Sequence, residues 1–266
     1  LKKQNEKYVI MTDSNVAVNF DFNDRLHAHM ASGADATVVY RKQEIPDSLI
    51  RKSTEPVDMY YALGINGDHV SKIYVNPTEK GKMNFCLNIY VMERERLIRM
   101  IDDAYVHGYT NFVRDILERQ IEHLDVRGYC YDGYVAQIHD MKSYFEENMK
   151  LLQEENLNAL FSGNQIYTKI RDDNPTRYIN GSKAKNIMVA DGCVIEGEVE
   201  NSVLFRGVRI GKGAKVKNCV LMQDTVVEDN ASVEYVITDK DVTITEGKSL
   251  TGNDSFQVFV AKGQTV

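Results

Sequence analysis

Metal ligation and nucleophilic catalysis in this 266-residue chain would fall first to six histidines and four cysteines. The histidines stand at positions 27, 29, 69, 107, 123 and 139. His27 and His29 are two apart, so on a helix they point to different faces, whereas a helical metal pair needs i,i+4 spacing. They read as surface or packing residues. Cys86, Cys130, Cys193 and Cys219 show no CxxC spacing. That pattern suits neither a zinc knuckle nor a disulfide framework, and it predicts reduced core thiols in a cytoplasmic protein. Phosphate chemistry would announce itself as a glycine-rich turn between a strand and a helix, where backbone N–H groups can approach the anion. No such loop occurs. Gly64 to Gly67 is too short, and Gly207, Gly211 and Gly213 belong to a repeat.

Composition narrows the classes further. The chain is 43% hydrophobic and 27% charged, with a formal charge of −7. An acidic balance argues against a dedicated nucleic-acid or anionic-membrane surface. No apolar run approaches the roughly 18 residues of a membrane span. The opening stretch, LKKQNEKYVIM, does not read as a secretory signal.

The elements that must position any site fall into two kinds. Residues 8–11, 36–40, 72–75 and 86–92 are short β-rich runs. Between and after them, Phe22–Ser32 (capped by Asp21 or Asn23 and stopped by Gly33), 93–107 (stopped by Gly108), 111–124 and 143–161 read as helices. Strands alternating with helices predict an α/β sheet domain over residues 1–161, with 162–182 as a linker. A sheet domain that opens in mid-pattern without a phosphate cradle reads as truncated at its N-terminus.

From residue 187 the spacing changes to a period of 17. One column is Ile187, Leu204, Leu221 and Thr238; the next is Cys193, Ile210, Val227 and Ile244; the third is Val199, Val216, Val233 and Leu250. Neither the helical period of 3.6 nor the strand period of 2 produces this. One inward side chain about every six residues, with Gly, Asn and Asp between, predicts a three-sided coil whose apolar interior is buried by stacking. This is the hexapeptide pattern of a left-handed parallel β-helix, expected over residues 183–266. All six histidines precede it, so the histidine-dependent chemistries of some hexapeptide proteins have no residues here; an assembly module remains.

Two further stretches carry a resemblance. MTDSNVAVNFDFNDRLHAHMASGADATVVY (11–40) resembles the segment of sugar-1-phosphate nucleotidyltransferases that follows their central metal-binding aspartate. NFVRDILERQIEH and YCYDGYVAQIHDMKSYFEENMKLL, within 111–152, resemble the second half of that domain. A β-helix then follows, as in the ADP-glucose pyrophosphorylase (glucose-1-phosphate adenylyltransferase) family. The resemblance implies a Rossmann-like nucleotidyltransferase domain whose catalytic members convert ATP and glucose 1-phosphate to ADP-glucose and pyrophosphate with Mg²⁺.

The family's charged positions are altered here. The "GDH" aspartate falls at Ser14 or Asn15, with Asp13 out of register. The "FVEKP" lysine falls near Asn76, the "DFG" aspartate at Asn111, and the "GYWRDVGT" aspartate at Gln137. Neutral side chains cannot supply the charge that a divalent ion between phosphates requires. The resemblance therefore implies a noncatalytic regulatory chain that needs no cofactor of its own. Its partner would be a catalytic subunit in a heterotetramer, or another copy of itself, with a sugar-phosphate effector as a possible ligand. Lys72, Lys80 and Lys82 are candidates to hold such an anion. The alternatives are an active nucleotidyltransferase using Asp13, Asp21 and Asp115, the last one turn beyond Asn111, and a stand-alone hexapeptide assembly protein.

Overall fold

The computed structural model describes residues 1–46, 49–50, 60–168 and 171–266. Two positions of the expected linker, 169 and 170, lie outside the described residues. The chain divides into two compact units, Leu1–Val135 and Ala136–Val266. The helical stretch expected to close the first domain thus lies in the second unit.

Among the described residues of the first unit there are seven strands and two long helices. They are β1 (Tyr8–Thr12), β2 (Val16–Val18), α1 (Phe22–Ser32), β3 (Ala36–Glu44), β4 (Tyr61–Asn66), β5 (His69–Val75), β6 (Lys82–Glu93), α2 (Arg94–His107) and β7 (Val126–Cys130). A mixed sheet runs in the order β1-β6-β3-β7-β5-β4. Among the described residues of this sheet, β3 and β7 are the parallel pair, from Ala36 opposite Val126 to Tyr40 opposite Cys130. Both faces of β3 are buried, which is why ATVVY is apolar at nearly every position. Ala36, Val38 and Tyr40 pack on the side of Leu97, Met100 and Ala104 from α2. Val39 packs on the other side with Phe20, Phe85, Leu87 and Ile89.

The helix signals work as read. The Asp21 carboxylate accepts from the N–H groups of Asn23 and Asp24, and Gly33 closes α1 in the left-handed region at φ 65°. His29 is a packing residue: it is buried, stands edge-on to Tyr8, and its Nδ1 lies 2.9 Å from Thr37 Oγ1.

Two expected helices differ. In place of a continuous helix over 111–124, a π-helical segment spans Phe112–Leu117, followed by one short α turn, Glu118–Gln120. Here Asp115 turns back on the backbone ahead of it, as described below. The helix expected over 143–161 begins earlier and is broken into Met141–Lys150 and Glu154–Phe161. Asp140 caps the first of these helices and forms a reciprocal capping box with Ser143. At the break, the Asn156 amide donates to the Lys150 carbonyl (3.0 Å), fixing a turn between the two helices.

The second unit is a parallel β-helix with three strand faces. Successive coils pair in parallel: Val199 with Val216, Val216 with Val233, and Val233 with Leu250. Ile210, Val227 and Ile244 stack likewise. The first coil departs from the period of 17. Val189, not Ile187, aligns with Leu204, and Ile195, not Cys193, aligns with Ile210. The cause is the Glu196-Gly197 corner, two residues shorter than those that follow. A Cβ on Gly197 would lie 2.3 Å from the Ala214 carbonyl oxygen and 2.7 Å from that of Gly211, so only glycine fits. At the other end Val236 pairs with Val258, a coil lengthened by an inserted loop.

The corners explain the small and polar spacers. Gly207, Asp224 and Asp241 have φ between 59° and 72°, and Gly213, Asn230 and Gly247 between 58° and 73°. These are the residue types that enter the left-handed region most cheaply. Thr238, the one polar member of its column, is fully buried with its hydroxyl 2.8 Å from that of Thr225. The buried pair satisfies itself.

Candidate functional site

The polar groups of the first unit gather where β1, β5 and the loop before residue 112 end. Asn88 opens this region. It is the one polar residue in the run CLNIYVM, and it sits at a β-bulge with φ 53°, where the β3–β6 register shifts between Val39 and Tyr40. Freed from the ladder, its Nδ2 donates to Asp13 Oδ2 (2.5 Å), while its Oδ1 accepts from the Tyr90 hydroxyl (3.1 Å). That hydroxyl also lies 3.3 Å from Cys86 Sγ. Burial holds the Tyr90 phenol well above its usual range and pushes the Cys86 thiol up to about 11. Both are neutral and unreactive at ordinary pH.

The 110–115 loop forms the other wall. Asn111 Oδ1 accepts from the Tyr61 hydroxyl (3.0 Å) and from the Arg114 N–H (2.8 Å). Burial raises the Tyr61 phenol, against the opposing pull of its bond to Asn111. Asp115 is buried and wholly engaged. Its Oδ2 accepts from the N–H groups of Thr110 (3.1 Å) and Asn111 (2.9 Å), and Arg114 grips both oxygens at 2.6 and 2.9 Å. The guanidinium first, then the backbone donors, hold its carboxyl far below the usual carboxylate range. This clamp binds the loop, and it neutralises the Arg114 charge.

The remaining expected positions have local tasks. Asn76, at φ 47°, accepts from the Tyr60 N–H through Oδ1 (2.9 Å) and donates its own N–H to the Tyr60 carbonyl (2.9 Å). Where the resemblance implied a lost phosphate-binding cation, the side chain closes a β-bridge-like clasp. Ser14 is exposed in the turn after β1. Asn15 Oδ1 is buried with no hydrogen-bond partner among the described residues. Asp21 is spent on the α1 cap. Gln137 ends the strand Val135–Gln137 and falls in the second unit. Lys72 lies over the Tyr74 ring, 4.9 Å from its centroid, while Lys80 and Lys82 are exposed.

So Asp13 is joined to Asn88 and Tyr90, and Asn111 to Tyr61, Arg114 and Asp115, whereas Asp21 serves the α1 cap. Sequence reasoning missed Tyr61, Asn88, Tyr90 and Arg114. The signal for Asn88 was available, because an isolated Asn in an apolar strand marks a bulge; the others depend on register.

Comparison with known proteins fits both halves of this architecture. Residues 170–257 match the family model described as GlmU-like, C-terminal hexapeptide. The glycogen biosynthesis protein GlgD of Bacillus subtilis (strain 168) is 30% identical over 262 residues, 98% of this chain and 64% of that protein. The chain is related to the GlgD proteins and the glucose-1-phosphate adenylyltransferases. The adenylyltransferase of Geobacillus stearothermophilus is 29% identical over 82% of this chain and 55% of that enzyme. GlgD of the same organism is 32% identical over 80% of the chain and 50% of that protein. The chain thus spans between half and two thirds of the length of these relatives.

In phosphoryl-transfer sites Mg²⁺ is held by one or two carboxylates together with substrate phosphates and waters. Among the described residues no three His, Cys, Asp or Glu side chains are grouped to hold a metal ion. With Asp115 and Asp21 engaged elsewhere, the donors around Asn111 are mainly neutral amides and phenols. They suit hydrogen bonding, with Asp13 the exposed carboxylate beside them. Among the described residues, no helix is long and apolar enough to cross a membrane.

Proposed function

We propose that this chain is a noncatalytic, regulatory subunit of the GlgD kind, acting on a glucose-1-phosphate adenylyltransferase in glycogen synthesis. The observation that carries this reading is the commitment of Asp115. The buried carboxylate beside Asn111 accepts four hydrogen bonds, from two backbone N–H groups and twice from Arg114, so it is committed to holding the loop. Asn111 and Asn76 spend their amides on Tyr61, Arg114 and Tyr60, which keeps the pocket folded without charge. ATP and Mg²⁺ would then be handled by a catalytic partner within a heterotetramer. This chain would act by biasing that partner's conformation or by completing a sugar-phosphate effector site.

The test is to mix the full-length chain with a catalytic adenylyltransferase subunit and follow pyrophosphate release from ATP and glucose 1-phosphate. A changed rate or effector response on mixing is the expected result. A mixture that behaves as the catalytic subunit alone, with no co-elution of the two chains, overturns the reading.

A further inference from the structure

The β-helix carries a second feature that the pocket does not explain. One of its corners is a ladder of Asn186, Asn201, Asn218 and Tyr235, all at φ between 46° and 52°. Asparagine tolerates the left-handed region; a bulky aromatic does so only at a cost. The position next along this corner is Gly252, and the inserted loop follows it at once. That loop is stitched by Asn253, whose Oδ1 accepts from Ser255 N (3.0 Å), Ser255 Oγ (2.7 Å) and Phe256 N (3.0 Å). The helix Met141–Lys150 stands on the other side, with Phe145 at 6.1 Å from the Tyr235 ring. Between helix, ladder and loop lies a groove of about 440 Å³, within the range of small-ligand sites.

Its chemistry is specific. Asn186 donates to Asn201 Oδ1 at 2.8 Å, whereas among the described residues no hydrogen bond engages the Asn218 amide or the Tyr235 hydroxyl. A free amide offers donors and an acceptor together, as a sugar hydroxyl does. Tyr235 adds an aromatic ring, and Met149 and Leu152 add apolar surface against which C–H faces can rest. The rim charges, Glu146 and Asp254 against Lys150, do not gather the cations an anion needs. We infer that this groove is a binding site for a neutral saccharide, held by the Asn218 amide and stacked on Tyr235. The inference is independent of whether the first unit is catalytic.

The probe is maltotriose, added to the full chain and followed by calorimetry and by the Asn side-chain amide resonances. Sugar affinities of this kind lie near the millimolar range, about 4 kcal/mol of binding free energy. Tyr235→Asn removes the ring and restores the residue type of the preceding corners. Because that change also loses contact with Phe145, Asn218→Gly is the second variant: glycine keeps the left-handed corner and removes only the amide. Each is expected to weaken maltotriose at least about tenfold, with the far-ultraviolet circular dichroism unchanged. No binding at about 10 mM, or binding that Asn218→Gly leaves intact, overturns the inference.

Discussion

The two-residue shortening of the first β-helix coil rests on one glycine, and replacing it is a quantitative test of the register. In Gly197→Ala the new methyl would meet the Ala214 carbonyl oxygen at 2.3 Å and that of Gly211 at 2.7 Å. Both obstacles are backbone atoms of the next coil, which cannot swing aside as a side-chain tip can. Val199 and Val216, 2% exposed on either side, leave the coil no slack. Forcing atoms into packed surroundings costs about 1–3 kcal/mol, and a backbone clash belongs at the upper end. Urea slopes run at about 1–3 kcal/mol per molar, so the β-helix transition should fall by roughly 1 M. Gly247→Ala is the control. Its Cβ would meet nothing within 4 Å, but φ is +70°, so only the left-handed penalty of about 1–2 kcal/mol applies. Tyrosine fluorescence and circular dichroism would follow both transitions. If Gly197→Ala unfolds at the wild-type midpoint, the shortened corner is wrong and the columns begin at Ile187 and Cys193 after all.

Other expectations follow from single contacts. Thr238→Val breaks the buried hydroxyl pair and leaves Thr225 Oγ1 only its long bond to the Asp239 carbonyl (3.4 Å), so thermal unfolding should report a loss of about 1 kcal/mol, and a neutral result would remove that pair from the account. His29 is lowered in pKa by burial, against an opposing pull from Glu93. Its unfolded form takes up a proton first as pH falls, so the stability it contributes is complete above about pH 6.5 and is lost below it, at up to about 1.4 kcal/mol per pH unit. Urea midpoints across pH 5–7.5 should show that slope in the wild type and a shallower one in His29→Gln; equal slopes would contradict it. Leu221→Ala empties a fully buried column position and should cost about 2–5 kcal/mol in chemical unfolding, whereas a loss below about 1 kcal/mol would mean the interior is not close-packed.

Much of the fold was legible because local signals and long-range demands agree. Asp21 and Gly33 bound α1 from both ends, and the 17-residue spacing of Val199, Val216, Val233 and Leu250 is the spacing of the paired strands. The first coil was misread because apolar residues stand at both candidate positions, Ile187 beside Val189 and Cys193 beside Ile195. Periodicity cannot choose between them; the length of the Gly197 corner does. The segment after Asn111 looked helical by composition, which does not show that the Asp115 carboxylate folds back onto the backbone N–H groups four and five residues before it. The site was legible only as positions. That Asn76 clasps Tyr60, sixteen residues earlier, and that Asn88 reaches Asp13, seventy-five residues away, follow from strand register.

The central claim, that the carboxylates of the first unit serve structure and not metal-assisted catalysis, is tested most directly by pyrophosphate release. The full-length chain, without any partner, would be given ATP, glucose 1-phosphate and Mg²⁺. The account predicts no release above background, and no change in that background for Asp13→Asn. Robust turnover that Asp13→Asn abolishes would contradict it and make this chain an enzyme in its own right.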